Sequence, residues 1–229
     1  MATCKVCAKS GWFLSLSEEG LCRNCKTRIA LETSGRVRII NESRKLVDKS
    51  TNLGTRISRC DIIIEKTKEL LKYEELGIHI TNPLPSVYIA DYTQKRDEII
   101  VETLQTEFQS AAEKVALPGT LASKVGALQK VLSRAQEYAG KVVDREPLDR
   151  MAREVLNLIS RARLASYMED ADKAVFKGQR KKALDRYLEA LYLLEHELAN
   201  DAHSQSKRQE IEKRVMPLRK PEQEGGSNA

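Results

Sequence analysis

The chain has 229 residues, of which 31% are charged and 5% aromatic. So few aromatic residues favour narrow packing between helices over a wide layered core, and the aliphatic residues recur at helical spacing. No run of about eighteen apolar residues is present, so we expect no transmembrane helix. The N-terminus lacks the apolar segment of a signal peptide, so we expect a cytoplasmic protein with reduced cysteines.

The formal net charge is +6, and the positive charge is concentrated near the N-terminus. Residues 1–60 contain twelve Lys and Arg but five Asp and Glu. The remaining residues are nearly neutral, with 27 basic and 28 acidic side chains. This asymmetry indicates an anionic partner for the N-terminal end.

Four cysteines near the N-terminus form the most specific chemical pattern in the sequence. Cys4 and Cys7 make one Cys-x-x-Cys pair, Cys22 and Cys25 make a second, and fourteen residues separate the pairs. Two such pairs are typical of a tetrahedral zinc site, because each pair can bind the metal from one tight turn. Zn²⁺ with four thiolates has a net charge of −2, which still leaves the N-terminal end positive.

A β-hairpin is predicted between the two pairs, because residues 11–20 contain alternating large apolar side chains and end in a Glu-Glu-Gly turn. Cys22 and Cys25 are expected in the first turn of a helix, whose N-terminus would stabilise their thiolates. The knuckle, hairpin and helix of residues 1–33 resemble a treble-clef or zinc-ribbon finger, like the small four-cysteine domains at the N-termini of bacterial multi-domain proteins. The resemblance implies a structural zinc ion.

The alternatives at this site are a catalytic metal, rubredoxin-like iron, and redox or disulfide chemistry. A catalytic site keeps an open ligand position, whereas all four ligands here are thiolates and no His or carboxylate nearby offers a base. A closed structural site is therefore favoured. Trp12 and Phe13 are expected to pack in the finger's small core, with base stacking as the alternative.

Residues 36–118 are predicted to form a long antiparallel helical hairpin or coiled coil. A helix of about forty residues is expected after a break at Thr33-Ser34-Gly35, and prolines near residue 84 would end it. A second helix is expected at about residues 89–115. In the first helix, the apolar residues Ile39, Leu46, Leu53 and Cys60 recur every seven residues and would form the packing seam. The seam makes Cys60 a buried apolar residue and is also compatible with a homodimer.

Five basic residues of the first predicted helix, Arg38, Lys45, Lys49, Arg56 and Arg59, fall on one stripe. A solvated face beside a coiled-coil seam explains such a stripe. The other interpretation is a track for nucleic-acid phosphates that continues from the basic finger.

Residues 119–218 are predicted to form a helical bundle, with helices at about 120–142 and 148–177 and Thr120 as an N-cap. Residues 164–195 resemble a single tetratricopeptide-type hairpin, with Gly178 at its turn and Ala183, Tyr187 and Ala190 on its second helix. Close packing in an ordinary bundle is the other explanation. The tail of residues 219–229 is predicted to be disordered.

The sequence contains no phosphate-binding glycine loop and no nucleophile with a suitable His partner, so we expect a protein without enzymatic activity. The favoured function is a zinc-binding adaptor, whose finger and C-terminal hairpin dock proteins and whose long helix spaces them. The alternative is a nucleic-acid-binding protein that uses the basic finger and the basic stripe.

Overall fold

The computed structural model describes residues 2–199 and 203–219, and over these ranges the fold is mainly α, as predicted. The described elements are two short strands and eight helices: β1 (Ala2–Thr3), β2 (Ser10–Gly11), α1 (Arg23–Lys49), α2 (Leu53–Lys68), α3 (Leu71–Glu75), α4 (Pro85–Ala116), α5 (Leu121–Tyr138), α6 (Glu146–Phe176), α7 (Arg180–His196) and α8 (Ser204–Arg219). Contacts divide the chain into two units. The first comprises the residues up to Thr103 with Lys141–Asp144, and the second comprises Leu104–Gly140 with the described residues from Arg145 onwards.

In the first unit, α1 and α2 pack against each other as an antiparallel hairpin. Arg36 of α1 forms an ion pair with Glu69 at the end of α2, with Nε and Oε2 at 2.5 Å. Nearer the turn, Arg56 Nε donates to the carbonyl of Val47 at 3.2 Å. From the first contact to the second, the residue number rises in α1 and falls in α2, so the two helices run in opposite directions. Buried side chains recur along both helices at spacings of three, four or seven residues: Ile29, Thr33, Ile40, Ser43 and Val47 on α1, and Leu53, Ile57, Cys60, Ile64 and Thr67 on α2.

The predicted single helix of about forty residues is wrong, because the chain reverses at residues 50–52. Ser50 and Asn52 both have extended backbone conformations, which end α1 and precede α2. The Asn52 side chain then caps α2 by accepting a hydrogen bond from the Thr55 N–H at 2.9 Å. An Asn at this position stabilises a helix start by about 1 kcal/mol.

The predicted break at Thr33-Ser34-Gly35 is also wrong, since these residues lie inside α1. The Thr33 hydroxyl donates to the carbonyl four residues earlier at 2.8 Å, and the Ser34 hydroxyl donates to the carbonyl three residues earlier at 3.0 Å. Their hydroxyls thus bond within the helix. Gly35 costs about 1 kcal/mol relative to Ala, which the packing of a 27-residue helix offsets.

The buried seam of α1 is displaced by one residue from the predicted one. Ile39 and Leu46 are each 39% exposed, whereas the neighbouring Ile40 and Val47 are buried. In α2 the seam prediction is confirmed at Cys60, which is fully buried. Burial raises the pKa of the Cys60 thiol to about 11, consistent with an unreactive apolar residue.

The first half of α4 lies beside α1 in the same unit. The Arg44 guanidinium donates to the hydroxyl of Tyr88 at 2.7 Å and to that of Tyr92 at 3.2 Å. One turn further along both helices, Lys95 pairs with Asp48 at 2.6 Å. Residue numbers rise along both helices from one contact to the next, so α4 runs parallel to α1, and Arg44 links the two helices.

In the second unit, α5, α6, α7 and α8 pack in succession. The Thr120 hydroxyl accepts a hydrogen bond from the Ser123 N–H at 3.3 Å, which confirms the predicted cap. Gly178 has φ +68° in the turn between α6 and α7, a conformation that favours glycine. The Tyr187 hydroxyl donates to Asp172 at 2.6 Å. The core around this bond contains Ala171, Tyr187, Ala190, Leu194, Leu198, Ile211 and Val215.

The likeness of residues 164–195 to a tetratricopeptide hairpin stays a prediction. The predicted disordered tail lies outside the described residues except for Arg219, which ends α8.

Candidate metal centre and basic helix face

The finger folds around its first cysteine pair. β1 and β2 pair antiparallel, with Ala2 opposite Gly11 and Thr3 opposite Ser10. The hairpin therefore encloses the first knuckle, and its predicted position between the two pairs is wrong. After β2, residues 12–21 form no second hairpin, and Leu16 makes an isolated antiparallel bridge with Cys22. The two strands can pair because the tight turn of the first knuckle brings residues 2–3 and 10–11 side by side.

The two knuckles bring the four thiols together. The four Sγ atoms of Cys4, Cys7, Cys22 and Cys25 all lie within 4.8 Å of one another. Cys7 Sγ and Cys22 Sγ are 3.8 Å apart, which matches the edge of a tetrahedron with metal–sulfur bonds of about 2.3 Å. Cys7 is exposed and the other three are buried. The donor set and its spacing fit one tetrahedral metal ion.

Backbone donors and a helix N-terminus surround these sulfurs. Cys22 is the N-cap of α1 and Cys25 lies in its first turn, as predicted, and this turn contains no acidic residue. The Cys22 N–H donates to Cys4 Sγ at 3.3 Å. Hydrogen bonds from the N–H groups of Cys7, Cys22 and Val6 lower the pKa of the Cys4 thiol to about 6. The N-terminus of α1 thus adds to a site arranged for negative charge.

Cys25 has the opposite environment. Desolvation, followed by hydrogen bonds with the other cysteines, raises the pKa of the Cys25 thiol to about 12. A metal ion must displace this proton to obtain its fourth thiolate. All four positions of a tetrahedron would then be filled by protein sulfur, as in structural sites.

Lys5 and Gly20 connect the two knuckles. The Lys5 N–H donates to the Gly20 carbonyl at 3.0 Å. Gly20 has φ +78°, and a Cβ placed there would lie 3.0 Å from Lys5 Cε. The positive φ favours glycine here, whereas the Lys5 side chain is flexible and could move away from an added Cβ.

Trp12 and Phe13 do not pack in the finger's core. Their side chains are 85% and 103% exposed, so the packing prediction is wrong. They occupy the two corners of a turn closed by a hydrogen bond from the Leu14 N–H to the Gly11 carbonyl at 3.4 Å. A turn directs its corner residues outward, which the alternating sequence pattern did not reveal.

The predicted basic stripe is divided between two helices. Arg38, Lys45 and Lys49 lie on α1, whereas Arg56 and Arg59 lie on α2. Because the chain reverses between them, the five residues do not form one stripe on one helix. Arg56 instead binds the end of α1 through the Val47 carbonyl.

Arg23 and Arg28, which were not part of the predicted stripe, lie on α1 together with its three members on that helix. At 100° per residue, Arg38, Lys45 and Lys49 fall within about 40° around the helix axis, with Arg23 and Arg28 on either side. We call these five exposed residues the α1 basic face. The absence of proline from residue 22 to 49 was the sequence signal that connects them.

Most of the α1 basic face lacks acidic partners. Arg38 pairs with Glu42 at 3.1 Å. Within the described residues, no carboxylate lies within ion-pair distance of the other four, Arg23, Arg28, Lys45 and Lys49. In contrast, Arg36 pairs with Glu69, and Arg44 binds the hydroxyls of Tyr88 and Tyr92.

An open groove of about 630 Å³ follows α1 beside this face. Its apolar floor includes Leu21, Ile29, Val37, Ile78 and Ile80. Its polar lining includes the cations Lys26, Arg38 and Lys45 together with Glu19, Glu42 and His79. The groove thus continues from the finger along α1.

Comparisons of the chain with protein-family models, curated proteins and solved structures found no match. The likeness to zinc fingers therefore rests on the cysteine spacing and on the clustered thiols. Among the described helices, none combines the length and the hydrophobicity that crossing a bilayer requires.

Proposed function

We propose that this protein is a non-enzymatic zinc protein that binds nucleic acid through its finger and the α1 basic face. The observation that supports this most directly is the α1 basic face, where four of five exposed cations lack a carboxylate partner within the described residues. Arg23 follows the metal ligand Cys22 directly, so the face begins at the finger. Phosphates would neutralise these cations and release the counterions condensed on the nucleic acid.

Zinc has a structural role in this proposal. Four thiolates suit Zn²⁺, and the closed donor set has no position for a substrate or a reactive water. When bound, zinc would supply the cross-links that hold the two knuckles and the start of α1 together. The protein side chains would make the contacts with the nucleic acid.

The adaptor function is the second candidate, and exposed apolar residues in the second unit favour it. Phe176 is 93% exposed, Tyr192 60% and Met216 68%. Exposed side chains of this kind are common in protein interfaces. A long helical spacer does not support this function, because α1 and α2 fold back on each other. An adaptor would bind its partner after nuclease treatment.

The test compares two double variants with the same change in charge. Lys45→Gln with Lys49→Gln removes two cations of the α1 basic face, and Lys181→Gln with Lys182→Gln removes two exposed cations of α7 as the control. Binding of a labelled oligonucleotide is measured by fluorescence anisotropy from about 50 to 200 mM salt.

We expect the wild-type affinity to fall steeply with salt. For the α1 variant, the slope of log affinity against log salt should decrease by about 1.4 to 1.8, because each phosphate contact contributes about 0.7 to 0.9. The α7 variant should retain the wild-type slope. An absence of binding by the zinc-loaded wild type at low salt, or an equal loss in both variants, would refute the proposal.

A further inference from the structure

The turn of residues 11–14 presents two neighbouring aromatic rings to solvent. Trp12 is 85% exposed and Phe13 is 103% exposed. Corner positions of turns favour Gly, Pro, Asn, Asp and Ser. Packing within the finger does not account for two large aromatic side chains at these positions. Their exposure indicates contact with another molecule.

The two rings stand apart from any other exposed large apolar side chain of residues 2–22. Within residues 2–22, Trp12 and Phe13 are the only large apolar side chains that are exposed. Gly11 and the half-buried Leu14 adjoin them in sequence, and the exposed Ser10 and Ser15 lie beyond. Protein interfaces and membrane-binding surfaces bury a wider apolar patch than two rings. A pair of exposed rings without a wider exposed apolar patch is better suited to stacking on flat groups.

Cations lie close to the turn. Lys9 precedes Trp12 by three residues, which limits the distance between their Cα atoms to about 11 Å. Lys9 is exposed, and no carboxylate of the described residues lies within ion-pair distance of it. The hydrogen bond from the Cys4 N–H to the Lys9 carbonyl at 2.9 Å fixes this segment to the metal site. Rings for bases and cations for phosphates are therefore held on one small unit.

We propose that Trp12 and Phe13 stack on unpaired bases, so that the preferred ligand is single-stranded nucleic acid. This inference rests on the proposed function, because the α1 basic face supplies the phosphate contacts. Every base has a flat π-face, so stacking requires exposed bases but no particular sequence. In a duplex the base faces are covered by their neighbours, and the rings lose this contact.

Trp12 provides the direct assay, because it is the chain's single tryptophan. The zinc-loaded protein is titrated with an oligodeoxythymidylate of about 20 nucleotides, with a duplex of equal length and with inorganic polyphosphate. Stacking should quench the indole fluorescence on addition of the single strand. The duplex should quench it weakly, and polyphosphate should leave it unchanged because it has phosphates without bases.

The matched variants are Trp12→Ala, Phe13→Ala and the control Phe176→Ala, which removes an equally exposed ring from the second unit. Trp12→Ala and Phe13→Ala should each weaken single-strand binding about tenfold or more. Their salt slopes should stay at the wild-type value, since the phosphate contacts remain. Phe176→Ala should bind like the wild type. Zinc content and circular dichroism verify that each variant is folded.

The outcomes separate the two proposals. Single-strand binding that neither quenches Trp12 nor depends on the two rings overturns stacking while the α1 basic face remains supported. Equal losses for duplex and single strand also overturn it. If wild-type protein binds no oligonucleotide at low salt, the proposed function fails, and stacking on nucleic acid fails with it.

Discussion

Removal of the metal should unfold the finger while the helical hairpin of α1 and α2 stays folded. Apart from its cysteines, the finger has one buried large apolar side chain within residues 2–22, Leu21 at 3% exposure. The hairpin instead buries several large apolar side chains, among them Val47, Ile57 and Ile63. The two parts therefore depend on different sources of stability.

In the finger, a bound metal ion would contribute far more free energy of folding than the burial of apolar side chains. Burial of one leucine side chain contributes about 2 kcal/mol. Structural zinc contributes about 10–16 kcal/mol in zinc-finger peptides near neutral pH. Burial of Leu21 cannot replace that contribution. In α1 and α2, each fully buried isoleucine contributes about 2 to 3 kcal/mol without any metal.

Hydrogen exchange measured by mass spectrometry tests this expectation on the full-length protein before and after chelation. The amides of Lys5, Ala8 and Gly20, which form the finger's turns, should lose their protection. Amides in the middle of α2 should keep theirs. Re-addition of zinc should restore the original pattern. Unchanged protection of the finger in verified metal-free protein would refute the reasoning.

Two further substitutions test the first unit. Gly35→Ala should raise the free energy of unfolding by about 0.5–1 kcal/mol in urea titrations, because Gly35 lies inside α1 and an added Cβ meets nothing within 4 Å. A loss of stability would instead support the predicted break. Lys66 and Arg36 lower the pKa of Glu69 to about 2, so its ion pairs stabilise the fold above pH 4.5 and lose this effect as the pH falls toward 2. Glu69→Gln should therefore lower the urea midpoint at pH 7, and its difference from wild type should shrink below pH 4.5. The control Glu65→Gln should have little effect, since Glu65 is 69% exposed.

The metal site could be predicted because its ligands are local. Cys4 and Cys7 share one turn, and Cys22 and Cys25 share another, so the spacing alone determines which thiols face each other. The mainly α class followed from helical spacing over long segments. Neither inference required knowledge of which helix packs on which.

The helix boundaries of the first unit depended on weaker signals. The seven-residue pattern continues through Leu46 and Leu53, although Ser50 and Asn52 interrupt the helix between them. A capping residue such as Asn52 stabilises a helix start by about 1 kcal/mol, so it can be overlooked beside a strong apolar repeat. Gly35 led to the opposite error, because glycine inside a helix costs only about 1 kcal/mol.

The continuity of α1 decides which residues are joined rigidly to the finger. A break near Gly35 would separate the finger from the cations that follow it. With α1 continuous from Arg23 to Lys49, the ligands Cys22 and Cys25 lie at the start of the helix that carries the α1 basic face. A metal ion bound by the four thiols would thus fix the aromatic turn relative to those cations. Chelation should consequently remove the contribution of base stacking from single-strand binding while most of the salt-dependent attraction persists, and a complete loss of that attraction would indicate that the phosphate contacts lie in the finger itself.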